Sequence, residues 1–289
     1  MKQYPIQIAG ITGWLIFLLV ACSNESPTND DQNGNELLIS AEIIPANESK
    51  AVGALANGTE KLTFTEGDQI SVSRSDTKSR IYELKSQQWL PKTGDELTVD
   101  GTSLTYTAIY PSDFANILED QNGNSGSNYT QSNKLAAKVT TASNYVPLKF
   151  NHAFTKITMV ISYGNDSKRK NVTATLSGNN IRTDKATAEE TIKMLRTVPE
   201  AETASVGHTF ICILNPGDTG NKRGFKLTVS GQTSDGSNAE NEAYTQELKE
   251  FKPGYNYIYN FSSNDNLILN SIEVKEFATG GTSDVGNAT

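Results

Sequence analysis

The sequence predicts an all-β protein built as two antiparallel β-sandwiches, and three observations carry that expectation. Short apolar segments recur between Gly, Pro and Asn turn signals from Lys61 onward, and several alternate with period two. The composition, with 22 Gly, 36% hydrophobic residues and 8% aromatics, suits short strands and many turns. No strand–helix–strand alternation appears, which argues against a parallel sheet flanked by helices. A chain of 289 residues is long for one core, so two domains are expected. The charged, turn-rich stretch GNDSKRKN places the boundary near Gly164, giving an N-terminal sandwich over 37–163 and a C-terminal one over 164–289.

Taken in order, Leu37–Ile44 (LLISAEII) is the first strand candidate, and PANESKAVGALANGTE after it reads as an exposed loop. LTF and QISV flank a turn at Glu66-Gly67-Asp68, IYEL precedes an isolated Trp89, and SLTYTAIYP puts Leu104, Tyr106, Ala108 and Tyr110 on one face before Pro111 ends it. Gln121–Asn133 is expected as a long polar loop. PLKFNHAFTKITMVISY gives a strand pair with Ile157, Met159, Ile161 and Tyr163 on one face. NVTATLSG, HTFICILNP, RGFKLTVSG and GYNYIYNFS follow, and in the last Tyr255, Tyr257, Tyr259 and Phe261 form a core stripe. TAEETIKML is the exception: Thr187 and Glu190 fit a capping box before Ile192 and Leu195 and predict a short helix.

The chemistry-bearing residues are sparse. The formal charge is −8 without a basic cluster, which argues against nucleic acid as a partner. The two histidines, His152 and His208, have no metal-ligand spacing, and no nucleophile elbow, phosphate loop or zinc-protease motif occurs. Asn29, Asp31, Asn33 and Gly34 sit at calcium-loop offsets, but Ser40 stands where a bidentate Glu is needed. The sequence therefore predicts no enzyme, no metal and no cofactor. Cys212, on an alternating apolar stretch, reads as a buried structural thiol.

At the start, Met1 and Lys2 precede an apolar run from Ile11 to Ala21 that is too short to span a bilayer permanently. Leu19-Val20-Ala21-Cys22 resembles the bacterial lipobox, which implies cleavage after residue 21 and acylation of Cys22. Residues 22–36 then read as a flexible tether holding the folded part on the order of 20 Å from the lipid.

An ordered series of short motifs resembles the fimbrillin family of Gram-negative anaerobes. It comprises Gly67-Asp68-Gln69-Ile70, Tyr82 and Trp89, Ala108-Ile109-Tyr110-Pro111, Phe150–Ile157 (FNHAFTKI), Pro253–Phe261 (PGYNYIYNF) and Ser271-Ile272-Glu273-Val274. The resemblance implies two tandem transthyretin-like (Ig-like topology related) sandwiches and a pilus subunit, whether stalk, tip or anchor. It also implies an outer-membrane lipoprotein whose leader strand is removed by proteolysis, so that a neighbouring subunit's strand fills the groove. By that analogy residues 37–50 are the removable leader, with Leu37, Leu38, Ile39, Ile43 and Ile44 as its covering strand. Ala46–Glu60 is the accessible loop. The arginine at which the family is cut has no counterpart there, which leaves Lys50 as the processing candidate. Leu267, Leu269, Ile272 and Val274 are the candidate donor strand, and in a single chain the same segment is expected to complete its own sheet. Other fimbrial subunits and a surface receptor are the implied partners. The alternative is a non-polymerising surface lipoprotein that binds glycan on aromatics such as Trp89 or Tyr129.

Overall fold

The computed structural model describes residues 36–44, 61, 63–75, 79–92, 96–99, 101–197, 206–264 and 266–277. Cys22, Lys50 and the whole 45–60 connection lie outside them. The described strands are β1 (Leu38–Ile43), β2 (Gln69–Arg74), β3 (Ser79–Lys85), β4 (Gln88–Pro91), β5 (Leu104–Tyr110), β6 (Leu135–Thr141), β7 (Tyr145–His152), β8 (Thr155–Tyr163), β9 (Arg169–Gly178) and β10 (Glu190–Lys193). They continue with β11 (Leu195–Arg196), β12 (Gly207–Leu214), β13 (Arg223–Thr233), β14 (Glu242–Lys249), β15 (Tyr255–Ser263) and β16 (Leu267–Glu276). One α-helix, α1 (Ser127–Ser132), lies between β5 and β6.

The first seven strands form one sheet in the order β1-β7-β6-β5-β2-β3-β4, curled so that β1 also approaches β4. Its inner face buries Ile70, Val72, Tyr82, Tyr106, Leu148 and Phe150. Leu104, Tyr106, Ala108 and Tyr110 share the inward face of β5, as their alternation predicts. The other strands form two sheets, β10-β9-β13-β14 and β11-β12-β8-β15-β16, which enclose a second core rich in aromatics. The stripe Tyr255, Tyr257, Tyr259 and Phe261 lines that core.

Four expectations are corrected. First, β7 and β8 are consecutive but do not pair: β7 lies in the first sheet, while β8 pairs with β12 and β15. The two cores therefore change over between Phe150 and Ile157, ahead of the charged gap at Gly164. Charge marks a solvated turn, and here that turn joins two strands of one sandwich. Second, the sheets are not wholly antiparallel, because β1–β7 and β8–β15 are parallel. Third, the helix expected over 187–195 is strand β10 plus β11. Glu190 accepts from the Arg182 N–H (2.8 Å), the Thr183 N–H (3.2 Å) and the Thr183 hydroxyl (3.0 Å), so its carboxylate closes the 180–183 turn instead of capping a helix. Ile192 and Met194 alternate into the core with period two. Fourth, the polar stretch 121–133 is not loop throughout, since it carries α1 and the fully buried Tyr129.

Candidate functional site: the first and last strands

Among the described residues, β1 pairs with one strand only, β7. Leu38 through Ile43 run in register beside Tyr145 through Phe150 of β7, with the Leu38 N–H donating to Asn144 O (2.8 Å) and the Ile44 N–H to Phe150 O (2.9 Å). Among the described residues its other edge carries no ladder, and a bridge between Glu36 and Thr98 marks its entry. Period-two geometry turns Leu37, Ile39, Ala41 and Ile43 inward: Leu37 is buried, and the other three pack half-buried on the first core. Glu42 faces outward and lies 3.7 Å from Lys149, both exposed. Of the five residues predicted for this strand, Leu37, Ile39 and Ile43 serve the core, whereas Leu38 and Ile44 lie outside it. Ala41 takes the inward place that sequence reasoning missed. Three aliphatic side chains at roughly 1–2 kcal/mol each, plus the ladder, hold β1 in place. That is modest for an element covering a core.

The chain returns from the 45–60 connection into the same core. Phe64, although outside any strand, sits edge-on to Trp89 (5.2 Å), Tyr110 (5.5 Å) and Phe150 (5.2 Å). The turn after it is fixed by Asp68, which accepts from the Thr65 N–H (2.5 Å) and the Tyr110 hydroxyl (3.1 Å) and pairs with Lys61 (2.5 Å). Burial, and then the Asp68 carboxylate, push the Tyr110 hydroxyl well above the usual phenol range. This gives the Gly67-Asp68-Gln69-Ile70 motif a physical basis. Gly67 supplies the left-handed turn (φ +86°), Asp68 locks it and Ile70 enters the core.

At the other end of the chain, β16 pairs antiparallel with β15 along the edge of its sheet. The register shifts between Asn260 and Phe261, so that Asn270 is an extra residue between Leu269 and Ser271. That bulge explains why the inward apolar positions change parity, from Leu267 and Leu269 to Ile272 and Val274. All four pack on the second core. The candidate donor strand thus completes its own sheet in the single chain.

Phe277 ends β16 in a slot where several sequence motifs meet. Its N–H donates to Gly254 O (2.7 Å), and Gly254 N–H donates to Phe154 O (2.9 Å). The Phe277 ring stacks on His152 at 3.8 Å between centroids, and Lys156 Nζ lies 5.6 Å from the same ring. His152 Nδ1 sits 3.0 Å from Asn133 Oδ1, while Nε2 is buried without a hydrogen-bond partner. Burial, then the nearby Lys156 charge, lower the His152 pKa to about 3. His208 is likewise buried, 2.8 Å from an Arg196 nitrogen. Both histidines are packing residues. Cys212 is fully buried, and burial alone raises its thiol pKa far above the ordinary range.

The aromatics considered as sugar platforms are unavailable. Trp89 is 8% exposed and Tyr129 is fully buried. Among the described residues, no three His, Cys, Asp or Glu side chains converge on a metal site.

Comparison with known proteins agrees with this architecture. A model of the family described as Fimbrillin-like matches residues 46–276. No curated protein matches in sequence. Among solved structures, a candidate cell adhesion protein of Bacteroides ovatus superposes with TM-score 0.57 at 17% identity, covering 86% of this chain and 100% of that one. A candidate cell adhesion protein of Bacteroides uniformis gives TM-score 0.50 at 13% identity, covering 85% of this chain and 100% of that one. At these identities the structures attest the fold alone. The family match spans well over half the sequence, from residue 46 to the end of β16, and the chain belongs to the fimbrillin-like family.

Proposed function

We propose that this protein is a non-enzymatic fimbrial subunit or pilus-associated adhesin of the cell surface, exported as an outer-membrane lipoprotein on Cys22 and assembled by strand exchange at the β1 groove. The observation that carries this reading is the attachment of β1. Among the described residues it pairs with one strand, β7; it packs on the first core and stands before a connection long enough to hold a protease site. Removing it exposes the β7 ladder and the hydrophobic positions that Leu37, Ile39, Ala41 and Ile43 fill. An extended segment of another subunit supplies the same two things, main-chain hydrogen bonds and side chains at alternate positions. An unfilled groove is an aggregation hazard, which gives β1 its role as a cover during export. The description of the two structural neighbours as candidate cell adhesion proteins supports an adhesive role.

Lys50 is the proposed cut site, and fimbrial subunits are the proposed partners. The β16 segment is a donor only if it leaves β15. If Lys50 is not cut, the subunit keeps its lipid and serves at the base of the pilus.

The test begins with the chain from Ser23, treated briefly with a trypsin-like protease, with the new N-terminus mapped by mass. A cut at Lys50 followed by detergent-resistant ladders supports a polymerising subunit. Cleavage at Lys50 that leaves a stable monomer with an empty groove would overturn strand exchange, while resistance at Lys50 supports the anchor role.

A further inference from the structure

The connection between β5 and β6 belongs to the second core although both strands belong to the first sheet. Ile117 and Tyr129, both fully buried, are packed among residues of the second sandwich. Between them the backbone acts as an added edge strand on β10: the Gln121 N–H donates to Lys193 O (3.0 Å) and the Lys193 N–H to Glu119 O (2.7 Å), with Asp120 bridged in parallel to Lys193. The Gln121 side chain, fully buried, completes the attachment. Its Nε2 donates to Ile213 O (2.9 Å), and its Oε1 accepts from the Ile213 N–H (2.8 Å), so one amide satisfies both backbone groups of a β12 residue. From the second sandwich, Arg182 Nε donates to Ile117 O (3.1 Å) and the Thr191 hydroxyl to Glu119 Oε1 (2.8 Å).

These contacts differ in kind from a domain linker. The covalent passage from β7 to β8 is only Ala153-Phe154, whereas 117–132 is anchored in the second core at both ends and in the middle. It also joins two strands that pair along their full length, Leu104–Tyr110 with Leu135–Thr141. Pulling it out removes Ile117 and Tyr129 from one core and frees the ends of two strands in the other sheet.

We infer that residues 117–132 are an intramolecular clasp that makes the two sandwiches one cooperative and load-bearing unit, so that neither opens alone. For a subunit joined to neighbours at its first and last strands, the clasp carries strain between those strands. The inference itself requires only the fold.

Two native reporters test it. The chain from Ser23 onward keeps every described residue and retains Trp89 and Cys212 as its sole tryptophan and cysteine. Trp89 reports the first core and Cys212 the second. In urea, Trp89 fluorescence and Cys212 labelling by a thiol reagent should have the same midpoint. In the Ile117→Ala/Gln121→Ala variant, Cys212 should become labelled at lower urea than the Trp89 transition. Its native-state labelling rate should rise on the order of 100-fold, because truncating a buried aliphatic residue favours local opening of the second core. Separate midpoints in the unmodified chain would overturn the inference. So would midpoints that still coincide in the variant, which would place the coupling in the Ala153-Phe154 passage. Should the double variant fail to fold, Ile117→Val must move Cys212 labelling several-fold while leaving the Trp89 midpoint in place.

Discussion

Mild acid should destabilise this protein through His152. The ring is 6% exposed, stacked on Phe277, and close enough to Lys156 for that charge to oppose its protonation. Nδ1 faces an acceptor, Asn133 Oδ1, and Nε2 has no partner to receive a new proton's hydrogen bond. Burial holds the pKa of the folded ring at about 3, against 6.5 for an imidazole in water. Above pH 6.5 the ring is neutral in both folded and unfolded chains, and stability is at its full value. Below pH 6.5 the unfolded chain binds a proton that the folded ring refuses, so stability falls by about 1.4 kcal/mol per pH unit until pH approaches 3. From pH 7.5 to pH 5 the loss comes to about 2 kcal/mol. Urea midpoints read by far-ultraviolet circular dichroism at half-unit pH intervals measure it. His152→Gln, which keeps a donor for Asn133, should start lower at pH 7.5 but lose this slope. A flat profile in the unmodified chain down to pH 5, or an undiminished slope in His152→Gln, would refute the reasoning.

Further consequences concern the two terminal strands and the turn beside them. Ile39→Ala and Ile43→Ala should each lower stability by about 1–2 kcal/mol, because both side chains are half-buried, while Leu38→Ala, outside the core, should change it by less than about 0.5 kcal/mol; Trp89 fluorescence in urea reads all three. Phe277→Ala should cost about 3–5 kcal/mol and raise amide exchange along β16 before other strands, since it empties the slot between His152 and Lys156. Asp68→Ala removes the acceptor for Thr65, Lys61 and Tyr110, and should cost about 2 kcal/mol while returning the Tyr110 hydroxyl toward the ordinary phenol range in a spectrophotometric titration.

Strands whose alternation is clean were legible from sequence. Leu104–Tyr110, Ile157–Tyr163 and Tyr255–Phe261 each bury the face their spacing predicts. What alternation does not encode is the partner, so the joining of β8 to β12 and β15 across long sequence separations was not legible. β14 escaped notice because Glu242–Lys249 offers only Tyr244 to the core and buries Glu242 beside the Ser263 hydroxyl. In β1 the apolar run gave the strand but not its face, since Leu37-Leu38-Ile39 and Ile43-Ile44 are apolar at both parities; pairing with β7 decides it. The clasp was invisible for the opposite reason. Gln121 and Tyr129 stand in Asn-, Ser- and Gly-rich sequence that reads as loop, Ile117 lies in a short apolar patch without period, and the second core explains all three. Glu190 shows how a local motif loses to tertiary demand, because the turn at 180–183 claims the carboxylate a helix cap would need.

If β1 is an exchangeable cover, a reversible staple that ties it to β7 should block exchange. Glu42 and Lys149 are in register on neighbouring strands with both side chains exposed, so Glu42→Cys/Lys149→Cys places a disulfide across the β1–β7 pair without entering the core. The stapled and unstapled chains, each beginning at Ser23, are cut in the 45–60 connection and incubated at high concentration. The unstapled chain should form ladders, the stapled one should persist as a monomer, and ladders should return once reductant is added. Equal polymerisation with the staple closed, or none from either chain after cleavage, would contradict exchange at β1.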